Sequence, residues 1–464
     1  MSVQTPPAAP SPVPTPATGP QQLIPVPDAR QRATIDRAVA ALDPALVRDL
    51  VVGMVAIPSP PGEERPLATW LVEQMTGLGL EANLQVLDDH QANAVGRLSG
   101  ARPGRELLLY APIDTFSTGV EEEDVPAVAS RLRPDMRPEP RLDGHVVTGL
   151  GASNPKGHGA AIVAAVAALR ASGAAFDGTI AVGLCGGGMP TNGRPTGTAR
   201  RQSIAQGSGC TFYLDHGGWA DEAIICKPGW AVHWEEVGLV WGEVVVHGSY
   251  GYVGSRHRIA YANPIVAAST LVARLDRWFA AYTARWTDGL VAPQGNIGSI
   301  QGGLPHLQSM TPAECRIRFD LRTSPRASLG QVRREIDAAV QAIAAEEHLD
   351  VTCRTVLTIP GSRTDPDAHV VRSTIGAWED LEGRPHEPIT GNSGATDANV
   401  LRRHGIPVAR IGMPKIGPDA NGSADFARGM NAVDLREVHR LAELLVRAVV
   451  LGAAPDGRPQ GGAA

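Results

Sequence analysis

The chain has 464 residues, of which 43% are hydrophobic and 19% are charged, and this length allows two or three domains with sizeable cores. Its formal net charge is −6, no basic stretch stands out, and aromatic residues make up only 4%. A nucleic-acid partner is therefore not expected, because such proteins present a basic surface, with aromatic side chains where bases stack.

The two ends of the chain have the composition of disordered tails. Residues 1–33 are rich in Pro and Ala and lack the basic start and apolar run of a secretory signal, and residues 453–464 are rich in Gly and Ala. No apolar stretch is long enough to span a membrane, so no membrane partner is expected. The five cysteines show no CxxC spacing, which argues against a disulfide framework or a structural zinc site and predicts a reduced, cytoplasmic protein.

After the first tail the sequence predicts alternating helices and strands. Helices are expected at IDRAVAAL, PALVRDLVVGMVAI and LATWLVEQMTGLG, and strands at EANLQVL, NAVGRL and ELLLYA. A polar insertion at 119–144 is followed by the Gly-rich turn GLGASNPKGHG, a helix at 159–171 and the strand GTIAVGLC. This order predicts an α/β fold with a doubly wound, largely parallel sheet.

The pattern changes after Pro228 and then returns. Strand, helix, strand, strand and helix follow one another with antiparallel character, which predicts a small α+β domain at 233–345. It is inserted into the larger α/β domain, which is expected to comprise 34–232 and 346–452. The closing elements are expected at HVVRSTIGAWEDLEG, IPVARIG and a last helix from Asp434.

Seven segments carry a resemblance to a known family, in the order in which that family has them: VAIPSPPGEE, LLLYAPIDTF, GLGASNPKGHGAAIVAAVAAL, DEAIICKPG, IGSIQGG, FDLRTSP and GATDANVLRRHGIPVARIG. Together they resemble the zinc-dependent amidohydrolase and peptidase family of acetylornithine deacetylase, succinyl-diaminopimelate desuccinylase and carboxypeptidase G, from about residue 40 to 450. The resemblance implies hydrolysis of an amide-type C–N bond. It also implies that the inserted domain is a lid and dimerisation domain, so a homodimer is expected.

The positions that would hold two zinc ions in that family depart from its pattern. There a histidine, a bridging aspartate, a glutamate, a further acid and a second histidine bind the metals, beside a general-base glutamate. The resemblance places these at Pro112, Asn154, the run Gly186–Gly188, Lys227 and Asn421. None is a carboxylate or an imidazole, so we expect no zinc and no other cofactor. The alternative is a zinc enzyme with displaced ligands, for which the sequence offers Asp114, His158, Asp215 and His216.

Four residues are candidates for chemistry in a site without metals. Lys227 could supply the positive charge that polarises a carbonyl or holds a carboxylate, or it could form a structural ion pair with Asp114. His158 and His216 are candidates for a general base near neutral pH, and structural hydrogen bonding is the other interpretation of each.

The glycine run and its flanking cysteines allow two interpretations each. Gly187 and its neighbours follow a strand, where their N–H groups could form an oxyanion nest, or the run is a loop reduced to small residues. Cys185 and Cys226 flank the former metal positions, where a stabilised thiolate could be a nucleophile, or they are inert core residues.

The expected substrate-binding residues are amides, backbone groups and a lid side chain. Asn154 and Asn421 can hydrogen-bond a polar substrate. Gly394 and Thr396 belong to SGATDA, which resembles the family segment that cradles the substrate carboxylate. Tyr252 falls near the lid histidine that, in the family, reaches the neighbouring subunit's active site.

The sequence thus predicts a metal-independent hydrolase of an amide-type C–N bond in a small polar substrate, which could be a linear or cyclic amide, a ureido compound or an N-acyl compound. The rival hypothesis is a non-catalytic ligand-binding or scaffold protein that kept the fold.

Overall fold

The computed structural model describes residues 19–125, 127–190, 205–418 and 425–453. In chain order, the helices of these residues are Ala29–Ala40 (α1), Pro44–Ala56 (α2), Arg65–Gly77 (α3), Glu121–Asp124 (α4), His158–Ala171 (α5), Ser208–Asp215 (α6), Pro264–Trp286 (α7), Leu329–Glu346 (α8), His369–Glu382 (α9), Ala398–Arg403 (α10), Phe426–Asn431 (α11) and Leu435–Gly452 (α12). The strands are Glu81–Val86 (β1), Ala92–Ser99 (β2), Arg102–Pro112 (β3), Arg141–Asp143 (β4), Val146–Thr148 (β5), Asp177–Cys185 (β6), Glu222–Cys226 (β7), Glu235–Glu236 (β8), Gly238–His247 (β9), Gly251–Tyr252 (β10), Gly295–Gly302 (β11), Met310–Thr311 (β12), Glu314–Thr323 (β13), Val351–Ile359 (β14), Ser362–Arg363 (β15), Val408–Ile411 (β16) and Ala432–Asp434 (β17).

The described residues form two compact units. The larger consists of Thr364–Pro388 and the described parts of Gly19–Trp234 and Thr396–Ala464. The smaller consists of Glu235–Arg363 and Ile389–Ala395.

The larger unit is built on a six-stranded sheet of order β1-β2-β6-β3-β7-β16. Strands β6, β3, β7 and β16 run parallel to one another. At one edge of the sheet, β2 pairs with β6 and β1 pairs with β2, both antiparallel. The central strand β3 reads LLLYAP over its buried half, a continuous apolar run typical of a parallel strand covered on both faces. The α/β fold with a largely parallel sheet, expected from the sequence, is confirmed.

Helices cover both faces of this sheet. One face packs under α6 and α10, with a core that includes Leu108, Tyr110, Ile225 and Val408. On the other face α5 packs against α2 and α12. The helix α5 is apolar on every side and twelve of its residues are buried, as expected of a helix enclosed by sheet and helices.

The smaller unit is a four-stranded antiparallel sheet of order β11-β13-β9-β14 with α7 and α8 on one face. Its core joins the helices to the sheet through Val244, Leu275, Phe279, Ile317 and Val340. The strand β14 follows α8 and completes a β-α-β-β-α-β arrangement. The unit therefore continues to Arg363, beyond the boundary at 345 that the sequence suggested.

The N-terminal boundary also differs from the expectation that residues 1–33 form a tail. The helix α1 begins at Ala29, because Asp28 accepts a hydrogen bond from the Gln31 N–H while the Gln31 side chain caps the Asp28 N–H. Before it, the N–H groups of Gln21 and Gln22 donate to Asp367 Oδ1 at 2.7 and 2.8 Å. Within the described ranges, no helix is both long enough and apolar enough to cross a membrane.

Candidate functional site

Three neighbouring parallel strands of the larger unit, β6, β3 and β7, end at one edge of the sheet. Asp114 lies two residues beyond β3, the run Gly186–Met189 follows β6, and Lys227 directly follows β7. Because the carboxyl ends of parallel strands meet at one edge, the fold brings these segments together where α/β proteins commonly bind ligands.

Asp114 is fully buried and holds the backbone of the glycine run. Its Oδ1 accepts from the Gly188 N–H at 2.8 Å and its Oδ2 from the Met189 N–H at 2.9 Å. Burial raises the pKa of the Asp114 carboxyl, although these two hydrogen bonds and the positive charge of Lys227 oppose the rise. The carboxylate is therefore a stronger proton acceptor than an exposed aspartate.

Lys227 places a cation inside this edge. Its side chain is almost fully enclosed, and Nζ lies 3.5 Å from Asn154 Oδ1 and 3.5 Å from Met189 Sδ. Both contacts are long for hydrogen bonds. The lysine and Asn154, which is 7% exposed, thus form a polar pair that could receive a carbonyl or carboxylate group.

The N–H groups of the glycine run point to the protein's own side chains, which corrects the hypothesis of an open oxyanion nest at Gly187. The Gly186 N–H donates to Asn93 Oδ1 at 3.1 Å and the Gly187 N–H to Glu64 Oε1 at 2.9 Å. The N–H groups of the next two residues, Gly188 and Met189, donate to the Asp114 carboxylate. Four consecutive amides are thereby fixed. The run is a rigid wall of the site, and its donors are not directed at a ligand.

Glu64 is a site residue that the sequence reasoning missed. It is fully buried, and besides Gly187 it accepts from the Gly62 N–H at 2.9 Å. Burial, and then the negative charge of Asp114, raise the pKa of the Glu64 carboxyl well above its usual value. The only sequence signal was an acid in PSPPGEER directly before α3, which is also an ordinary position for a helix-capping residue.

His158 is a structural histidine, which is a correction to the prediction of a general base. Nδ1 donates to the Ser153 carbonyl at 2.8 Å, and Nε2 accepts from the Met413 N–H at 3.3 Å, so both ring nitrogens are used by the backbone. Burial, and secondarily the charge of Lys227, lower the pKa of His158 to about 3. The imidazole is neutral near pH 7 and has no lone pair available for a substrate proton.

His216 lies elsewhere in the unit, which is a second correction. It follows the end of α6 on the surface, stacks on Phe212 with ring centroids 3.7 Å apart, and its Nδ1 contacts the Phe212 carbonyl at 2.8 Å. The chain passes from there to the amino end of β7, whereas Lys227 lies at the carboxyl end. His216 and its neighbour Asp215 are therefore near the amino ends of the strands, whereas the candidate site lies at their carboxyl ends.

The two flanking cysteines do not have the surroundings of nucleophiles. Cys185 and Cys226 are fully buried, and burial raises the pKa of both thiols. A thiolate would be strongly disfavoured at either position. The structure supports the interpretation of both as core residues.

The expected substrate-binding residues are distributed over both units. Asn154 lies beside Lys227, and Thr396 precedes α10 in the larger unit, where its Oγ1 accepts from the Ala398 N–H at 3.1 Å. Tyr252, which is largely exposed, and Gly394 belong to the smaller unit. Asn421 lies outside the described residues.

The residues at this edge do not fit a two-zinc centre. The Pro112 side chain has no donor atom, Asn154 is a neutral amide, and Lys227 is a cation where an acid ligand would be needed. Within 19–125, 127–190, 205–418 and 425–453, no three His, Cys, Asp or Glu side chains are grouped so that they could share an ion. The displaced set of Asp114, His158, Asp215 and His216 is accordingly not assembled.

Comparisons with known proteins agree with this architecture. Residues 235–348 match a family model described as the peptidase dimerisation domain of the M20 peptidases. Succinyl-diaminopimelate desuccinylase of Rhodopseudomonas palustris is 29% identical over 182 residues, which is 38% of this chain. That match covers 43% of the relative's own length.

The same fold is found in solved structures. Human carnosine dipeptidase 1 has a TM-score of 0.66 at 13% identity, covering 92% of this chain and 99% of that one. The YXEP protein of Bacillus subtilis, described as a dinuclear metal-binding peptidase of the M20 family, has a TM-score of 0.56 at 14% identity, covering 91% and 99%. The chain therefore has the fold of the M20 peptidases, with a peptidase dimerisation domain at residues 235–348.

Proposed function

We propose that the chain hydrolyses an amide-type C–N bond in a small polar substrate and that Lys227, in place of a two-metal centre, supplies the positive charge. The supporting observation is the position of the Lys227 ammonium. It lies at the carboxyl edge of the sheet, beside Asn154, where the resemblance places metal ligands. The peptidase-like fold supports hydrolysis of a linear or cyclic amide, a ureido compound or an N-acyl compound.

Each group has a role in this proposal. The Lys227 ammonium polarises the substrate carbonyl and stabilises the negative charge that develops on its oxygen. The Asn154 side chain orients the substrate through a hydrogen bond. Asp114, whose pKa burial raises, accepts a proton from the attacking water, because a carboxylate with a higher pKa is a better general base.

A second candidate function is binding without turnover. The observation that favours it is the use of polar groups within the protein: His158 and the four N–H groups of Gly186–Met189 are all engaged by the chain itself. A carboxylate-binding protein needs only Lys227 and Asn154. The two candidates therefore differ in whether Asp114 moves a proton.

The test is an activity screen over amides, ureido acids and cyclic imides, with and without a chelator, together with elemental analysis of the purified protein. We expect turnover that survives chelation and falls by roughly a hundredfold or more in Lys227→Met, since removal of a preorganised charge contact has effects of this size. Lys156→Met is the matched control, because Lys156 is also a buried lysine, with its Nζ donating to the Ile57 carbonyl at 2.8 Å. Stoichiometric zinc together with chelator-sensitive turnover would contradict the proposal, and binding without turnover would favour the second candidate.

We also propose that the chain forms a homodimer through the smaller unit. The support is the match of residues 235–348 to a peptidase dimerisation domain.

A further inference from the structure

Two phenylalanines and a lysine form a cluster on the larger unit, in which Phe426 and Lys415 are exposed and Phe116 is half-buried. The whole sequence contains only six phenylalanines, yet Phe116 and Phe426 meet edge to face, with ring centroids 5.5 Å apart and planes at 78°. Phe426 is 62% exposed, although phenylalanine is among the residue types most often buried. The Nζ of Lys415 lies 5.9 Å from the centroid of the Phe426 ring, within the range of a cation–π contact.

Both phenylalanines are tied closely to the interior of the candidate site. Phe116 follows Asp114 by two residues on the same loop. Phe426 begins α11, and Met430 lies one helical turn further along the same side of that helix. The Met430 sulfur accepts from Asn154 Nδ2 at 3.6 Å. Short stretches of backbone therefore connect the aromatic pair to Asp114 on one side and, through Met430, to Asn154 on the other.

Lys415 is connected to the same interior by the segment that leaves β16. A side chain at Gly412 would collide with the Lys227 carbonyl, so the two backbones are in direct contact. The next residue, Met413, donates its N–H to His158 Nε2. Two residues later, Lys415 is on the surface. Lys415 is thus three residues along the chain from Gly412, which touches the Lys227 backbone.

The charge around this cluster favours an anion. The nearest acid in sequence to Phe426 is Asp425, and Arg133 binds that carboxylate in an ion pair. Among the residues that the structure describes, Lys415 has no carboxylate partner, and its ammonium remains available to a ligand. An apolar ring surface next to an available cation is complementary to a molecule that carries an aromatic group close to a carboxylate.

We propose that Phe116, Phe426 and Lys415 form a recognition subsite for a substrate that carries an aromatic group beside a carboxylate, such as an arylacyl amide of an acid. The Phe426 ring packs against the aromatic group, and Lys415 pairs with the carboxylate. That the ligand is a substrate rests on the proposed function. Binding at the subsite can be measured without turnover.

The test is calorimetric titration of the full chain with phenylacetate, acetate and benzyl alcohol, which separates the two features of the ligand. We expect phenylacetate to bind at least about tenfold more tightly than either of the others, since it alone offers both the ring and the charge. Phe426→Ala should weaken phenylacetate binding roughly three- to tenfold and leave acetate unchanged. Lys415→Gln should reduce phenylacetate to the affinity of benzyl alcohol.

Trp219→Ala is the matched control, because Trp219 is an exposed aromatic with an edge-to-face contact to His404, and it lies three residues before β7, at the amino end of that strand. It should not change any of the three affinities. Equal affinities for phenylacetate and acetate, or phenylacetate binding that neither Phe426→Ala nor Lys415→Gln weakens, would overturn the inference. Ring-dependent binding with no amide turnover would support the subsite and contradict the proposed function. Lys227-dependent turnover with no preference for aromatic acids would support the proposed function and contradict the subsite.

Discussion

Lys227 and Asp114 share the buried edge of the sheet, and substitution of the lysine distinguishes a chemical role from a structural one. Asp114 keeps its two N–H donors when Lys227 is removed, and burial already raises its pKa, so it can take up a proton. We therefore expect Lys227→Met to remain folded in thermal melts while turnover falls by roughly a hundredfold or more.

A structural ion pair would give the opposite pattern in the same measurements. Loss of one partner of a buried pair costs about 3–5 kcal/mol of unfolding free energy, because the other charge stays buried. The double variant Lys227→Met with Asp114→Asn would then recover stability and activity together. Melts and kinetics on both single variants and the double variant decide between the two roles, and recovery in the double variant refutes the chemical one.

Lys156 provides a pH-dependent prediction of its own. Burial lowers the pKa of this lysine to about 7 from its ordinary value of 10.5. Between these values the unfolded chain binds the proton and the folded chain does not, so this residue makes stability rise with pH by about 1.4 kcal/mol per unit at most. Below pH 7 both states are protonated, and this contribution to the slope disappears.

Urea unfolding at pH 6, 7, 8 and 9 checks this expectation. The unfolding free energy of the wild type should gain about 2 kcal/mol between pH 7 and 9 relative to Lys156→Met, which has no titrating group at this position. Parallel pH profiles for the two proteins would show that the lysine is not held neutral in the fold.

At the residue scale, the sequence predicted where polar groups would gather better than it predicted their roles. The carboxyl-edge position of Asp114 and Lys227 follows from strand order. In contrast, the roles of His158 and Glu64 depend on which backbone N–H and C=O groups lie opposite them, and these come from segments distant in sequence. The sequence pattern does not show which backbone group a side chain will hydrogen-bond. A histidine with both ring nitrogens hydrogen-bonded and one with a free nitrogen therefore look alike in the sequence.

At the scale of elements, hydrogen bonds to Glu64 link the segment after β6 to the start of α3. Its Oε1 accepts from Gly62 and Gly187, so it joins the loop before the helix to the glycine run after the strand. Replacement with leucine would leave both N–H groups buried and unpaired, at about 1–3 kcal/mol each. We expect Glu64→Leu to lower the unfolding free energy by several kcal/mol in denaturant titrations.

Glu64→Gln is the informative comparison for the same contact. The raised pKa of Glu64 means that the folded state holds a proton which the unfolded state releases as pH rises above the ordinary value of 4.5, so this residue makes stability fall above that pH. A glutamine keeps the accepting oxygen and cannot titrate. Glu64→Gln should therefore be at least as stable as the wild type at pH 7, and a loss as large as that of Glu64→Leu would show that a charged carboxylate is required.

The elements themselves were largely predictable, and the exceptions have physical causes. The central strand β3 and the amphipathic helices α7 and α8 follow from apolar runs and periodicity. The start of α1 was missed because a Pro-rich composition obscured a capping box at Asp28 and Gln31. The strand β14 alternates half-buried and exposed residues, as its sequence VTCRTVLTI allows, but it follows the expected domain boundary.

At the scale of the whole molecule, the smaller unit has exposed apolar side chains that are not part of its hydrophobic core. The loops after β9 and β11 lie at the same end of its sheet, because the ends of both strands pair with the start of β13. Exposed apolar side chains gather in these loops and the elements next to them, namely Tyr250, Tyr252, Val253, Val266, Ile300 and Leu304. Where such side chains form one contiguous patch, they mark an interaction surface.

A homodimer would cover this surface, and the match to a dimerisation domain supports that partner over others. We expect light scattering at micromolar concentration to give twice the chain mass of 48.7 kDa. Val266→Glu should shift the protein to the monomer, because Val266 is 63% exposed on α7 and a dimer would bury the added charge without a partner. Val86→Glu, at an exposed position on the edge strand β1 of the larger unit, is the matched control and should remain dimeric. A monomeric wild type would contradict the dimer, whereas a dimer that tolerates Val266→Glu would place the interface elsewhere on the chain and leave the apolar end of the smaller unit without an explanation.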